Sequence, residues 1–90
     1  MAKTADELFD TFAARVAEIL RERLGMDPEP LLRSRPESFT LEGLIRRSDG
    51  VPEWHGVQAT PEQLQWSGPN AMAEAFVEEY VAAFRAAERS

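Results

Sequence analysis

Cysteine is missing from this 90-residue chain, and histidine (His55) and tyrosine (Tyr80) occur once each. Without cysteine there is no disulfide framework, no thiol nucleophile and no thiolate ligand. A lone histidine excludes histidine-rich metal sites and Cys–His dyads. No apolar run approaches the roughly 20 residues that cross a bilayer, so no membrane partner is expected. The first ten residues, MAKTADELFD, lack a basic start followed by an apolar core, so no signal peptide is read there and a cytoplasmic location is expected. Glycine-rich phosphate loops, EF-hand spacing, internal repeats and low-complexity segments are also missing. Basic residues are in the minority, ten against sixteen acidic, for a net charge of −6. Residues 51–90 carry two basic and six acidic groups. A polyanion such as DNA is a poor match for that balance, so no nucleic-acid partner is expected.

What remains is apolar patterning. The chain is 43% hydrophobic, enough for a core in one domain spanning 1–90. In Ser67–Arg89, Met72, Phe76, Val77, Tyr80 and Phe84 share one arc at helical spacing, with Glu74, Glu78 and Arg85 opposite. Leu8, Phe9, Phe12, Val16, Ile19, Leu20 and Leu24 form a second arc near the N-terminus. Thr4 and Glu7 fit a capping box before it, and Gly25 fits the stop after it. These patterns predict two long amphipathic helices, about 4–24 and 69–88, packed on each other.

Between them, Pro28, Pro30 and Pro36 forbid a continuous helix. Leu31 and Leu32 are expected to form one turn against the core, with Arg33 and Arg35 as a small basic spot in a loop. Thr40 as N-cap and Phe39 with Leu44 as a hydrophobic staple predict a short helix over about 40–48. The competing reading is a hairpin, SFTLEGLIRR with VPEWHGVQAT, joined through Asp49-Gly50. Pro52 and Gly56 speak against its second strand, so 51–59 is expected to be a loop. Thr60-Pro61-Glu62-Gln63 opens another short helix, about 60–66. The expected fold is therefore all-α, with four helices, two long and two short.

Little in this pattern does chemistry. His55 is the one candidate general base, with Glu53 two residues away and Trp54 and Trp66 as walls of a pocket. No catalytic, metal-binding or cofactor-binding set is expected. The sequence points instead to a non-catalytic protein–protein interaction module, an accessory or assembly subunit that contacts another protein chain, its own kind or a different one. Tryptophan is enriched in binding hot spots, and Trp54 and Trp66 lie in or beside the connector. Ala75, Ala82 and Ala86 form a ridge of small side chains outside the main arc. The expected contact residues are Trp54, His55, Val57, Trp66, Ala75, Ala82 and Ala86.

Two patterns point elsewhere. Trp66-Ser67-Gly68, followed by a helix carrying Ala73, Ala75, Phe76 and Tyr80, resembles the turn of the WXG family of type VII secretion substrates. That resemblance implies a dimeric helical hairpin that is exported. The prolines before the turn and Phe84, four residues after Tyr80, depart from that family's pattern. Residues 61–66 and 70–80 also have the lengths of a helix-turn-helix pair. Its second helix, however, carries Glu74, Glu78 and Glu79 and no basic residue before Arg85, the wrong sign for phosphate.

Overall fold

The computed structural model describes residues 4–46 and 51–89. Helix α1 (Ala5–Leu24) is followed by a 3-10 turn (Glu29–Leu31), strand β1 (Leu32–Arg35) and a second 3-10 turn (Pro36–Ser38). Strands β2 (Thr40–Arg46) and β3 (Pro52–Gln58) come next, then helices α2 (Pro61–Ser67) and α3 (Pro69–Arg89). The strands form one antiparallel sheet in the order β1-β2-β3. This overturns the all-α expectation. The chain is mixed α/β, and the helical hairpin implied by the WXG resemblance is interrupted by a sheet.

The helix ends follow local chemistry. The Glu7 N–H donates to Thr4 Oγ1 at 3.2 Å, and Gly25 closes α1 in the left-handed region at φ 66°. At α2 the capping box is complete: the Gln63 N–H donates to Thr60 Oγ1, and the Thr60 N–H donates to Gln63 Oε1, both at 3.3 Å. Pro61 and Pro69 each stand at a helix start, where a missing N–H costs nothing.

The middle of the chain departs from the local reading. Residues expected to be a helix over 40–48 form β2 as far as Arg46, and the expected loop over 51–59 contains β3. The Arg33–Arg35 stretch expected as a loop is part of β1. The Asp49-Gly50 turn lies outside the described residues. Leu41, Leu44 and Ile45 suit one helix face, but Leu41, Gly43 and Ile45 equally suit one strand face. The strand reading wins because alternate residues meet α3. Leu41, Gly43 and Ile45 are buried, while Thr40, Glu42 and Leu44 are half-buried.

Gly43 fits this position because it has no side chain. A Cβ there would overlap the Tyr80 ring, coming within 2.7 Å of Cδ2. Phe39, expected as a staple residue, instead adopts a left-handed conformation at φ 51°. Its ring meets Phe9 edge-on at 5.8 Å, and its carbonyl accepts from the Ala59 N–H at 2.8 Å. Pro52 and Gly56 do not prevent β3, because Pro52 is the first residue of an edge strand.

Helices α1 and α3 pack together, with Phe12 edge-on to Phe76 at 6.4 Å. The core draws Phe9, Phe12, Val16 and Leu20 from α1, Leu41 and Ile45 from β2, and Phe76, Val77 and Tyr80 from α3. Leu64 of α2 closes one end. The apolar stripe of α3 therefore serves two neighbours, α1 and the sheet.

Candidate interaction surface

Cross-strand register sorts the side chains of the sheet into two faces. Leu41 lies opposite Val57, and Gly43 opposite His55, on the face that meets the helices. Arg33 lies opposite Glu42, and Leu44 opposite Trp54, on the other face.

That outer face carries a charged ladder. Arg33 grips the Glu42 carboxylate with two hydrogen bonds, Nε to Oε1 at 3.2 Å and Nη2 to Oε2 at 3.0 Å. Arg35 Nε approaches the same Oε1 at 3.1 Å. The Arg33 hydrogen bonds are the main reason the Glu42 carboxyl sits below the usual carboxylate range, with partial desolvation opposing and the charges of Arg33 and Arg35 adding. Arg33 also stacks over the Trp54 ring, its Cζ 4.2 Å from the centroid. Trp54 is thereby held flat while 36% of it stays exposed. The basic spot read from Arg33 and Arg35 is thus half of an ion-paired ladder.

The expected contact residues fall in different places. His55 lies on the inner face, half-buried, its ring 6.0 Å from Phe76. Val57 packs against the core. Both are on the opposite side of the strand from Trp54. Trp66, on α2, is 92% exposed, beside Glu62, Gln63 and Ser67. Ala75, Ala82 and Ala86 are exposed on α3. Trp54 and Trp66 therefore belong to separate elements, and the structure does not bring all seven residues into one patch. The sequence presents Arg33 as part of a basic spot, but not as a neighbour of Trp54. Its signal was available only to the hairpin reading, which puts Glu42 on a strand where a further extended segment can pair with it.

Tyr80 is a titratable group that the fold alters strongly. Burial pushes its phenol up to about 12. Its hydroxyl donates to the Leu44 carbonyl at 2.6 Å, tying α3 to β2. A buried, protonated phenol committed to a main-chain carbonyl is a structural group. Among the described residues, no cluster of three or more His, Asp or Glu side chains could hold a metal ion. No helix among them is long and apolar enough to cross a membrane. Comparison with protein-family models, curated proteins and solved structures gave no match.

Proposed function

We propose that this chain is a non-catalytic protein–protein interaction module, an accessory or assembly subunit working in the cytoplasm. It contacts another protein chain through Trp66 and through the outer sheet face at Trp54 and Arg33. The observation that carries this reading is the 92% exposure of Trp66. An indole left in water forfeits the gain from burying a large aromatic surface, and tryptophan is enriched among interface hot spots. Trp54 supports the reading. The Arg33 guanidinium braces it from one side, so it would lose little side-chain freedom on binding.

The test is a paired comparison of the wild-type chain with Trp54→Ala/Trp66→Ala. Sedimentation velocity over a wide concentration range reads self-association, and affinity capture read by mass spectrometry reads other partners. The expected result is a concentration-dependent or partner-bound species for the wild type that the double variant loses, with the melting temperature of the chain little changed. A wild-type chain that stays monomeric and recovers no partner sinks the proposal.

A further inference from the structure

At the far end of α3 from Trp66 lies a pocket of about 400 Å³ that the association reading does not use. Met26, Leu31, Leu44 and Phe84 supply apolar walls, and the acidic residues Asp27 and Glu88 also line it. Among the described residues that line it, none is basic. The volume is within the range of built ligand sites, roughly 300–1,000 Å³, and has room for two apolar side chains. Met26 is 49% exposed, and Phe84, Leu31 and Leu44 are half-buried, so the walls remain accessible. Asp27 Oδ1 accepts the Glu29 N–H at 3.0 Å, and Arg21 reaches it only at 3.9 Å. Asp27 therefore already has a long surface ion pair with Arg21, and a cationic side chain of a partner would compete with it.

Two further observations narrow the occupant. Surface beyond the pocket leads to Trp54, the cross-strand neighbour of Leu44, whose ring carries Arg33 over one side. A small molecule would leave that extension uncovered, whereas a polypeptide segment can run along it. The charged groups among the described lining residues are also both acidic. Two carboxylates flank the pocket in a chain of net charge −6, so the field favours a cationic partner both at contact and during approach.

We infer that this pocket docks a basic, amphipathic segment of a partner polypeptide. One or two apolar side chains of the segment enter between Met26, Leu31, Leu44 and Phe84, and flanking Lys or Arg residues pair with Asp27 and Glu88. The inference rests on the association reading and specifies the chemistry of the partner.

The test uses the full chain and two fluorescently labelled peptides of about twelve residues, long enough for three helical turns. Both carry Leu and Phe at i and i+4. One has Lys at the remaining positions, and the other has Glu. Fluorescence anisotropy should show the Lys peptide binding at least about tenfold more tightly than the Glu peptide. Asp27→Asn/Glu88→Gln should weaken the Lys peptide by about five- to tenfold, while Glu74→Gln/Glu78→Gln, the same charge change between α1 and α3, should leave it within about twofold. Leu31→Trp, which fills the pocket, should abolish binding of both peptides while circular dichroism shows the fold intact.

Equal losses in the two carboxylate variants would mean diffuse electrostatics and overturn the inference. So would binding of 4-phenylbutylamine at these residues, seen by NMR, with no binding of either peptide. A chain that associates through Trp54 and Trp66 yet ignores both peptides overturns this inference alone. A chain that binds neither peptide nor any partner overturns the association reading as well.

Discussion

Gly43 and Tyr80 form the tightest joint between the sheet and α3, and each makes a separate prediction. A methyl at Gly43 would collide with the Tyr80 ring, which is fully buried and stacked against Phe76 at 5.9 Å. Gly43→Ala should destabilise the fold by about 1–3 kcal/mol, the usual cost of overfilling a packed core, read as a lower urea midpoint. Tyr80→Phe removes the hydrogen bond to the Leu44 carbonyl and should cost about 1 kcal/mol. The same residue sets an alkaline limit. Its folded pKa, raised from 10.0 to about 12, means that the folded state holds the phenolic proton more tightly than the unfolded chain. That stabilisation is complete below pH 10 and is lost as pH rises towards 12. Thermal melts from pH 9 to 12 should show a steep decline in the wild type and a shallower one in Tyr80→Phe. Equal slopes would mean that Tyr80 does not titrate with folding.

At the scale of elements, the outer face of the sheet depends on one carboxylate serving two strands. Glu42 on β2 receives Arg33 and Arg35 from β1, and Arg33 in turn steadies Trp54 on β3. The depressed pKa of Glu42 signifies stability that is present above the ordinary carboxylate range and lost as pH falls through the folded-state value. Glu42→Gln should therefore flatten the acid limb of the stability profile. It should also loosen Trp54, seen as a red shift or reduced anisotropy of tryptophan emission relative to the Trp66→Ala background. Unchanged emission there would show that Trp54 is held without the ladder. Helix α2 offers a simpler case. Thr60→Ala deletes half of the capping box and should cost about 1 kcal/mol by urea unfolding, mostly as fraying of one short helix.

Across the whole molecule, the fold is elongated, 47 × 24 × 19 Å, with a Cα radius of gyration of 13.3 Å. Helix α3 runs from Trp66's neighbourhood at one end to the carboxylate-flanked pocket at the other. The Trp54→Ala/Trp66→Ala chain should scatter X-rays as a particle close to that monomer size. The wild type should rise above it with concentration or with partner added, and identical curves would remove the proposed role for the tryptophans.

The two long helices and α2 were legible from residues alone because their determinants are local: an apolar arc, Thr4 and Thr60 as caps, Gly25 as a stop, and prolines only at helix starts. The exposed alanines on α3 were legible for the same reason. The sheet was not. Phe39, Thr40 and Leu44 satisfy helix-start chemistry within a few residues, and nothing nearby contradicts it. The contacts that decide against it come from Phe9 some thirty residues earlier in the chain and from Tyr80 nearly forty later. The sequence by itself determined where α1, α2 and α3 begin and end, that the chain has a core, and that cysteine and multi-histidine chemistry are excluded. Tertiary structure alone decided that 40–46 and 52–58 pair as strands, that His55 and Val57 turn inward while Trp54 turns out, and that Met26, Leu44 and Phe84 enclose a pocket. The reason is that a strand's partners, unlike a helix's, lie elsewhere in the chain, so local preference cannot choose them.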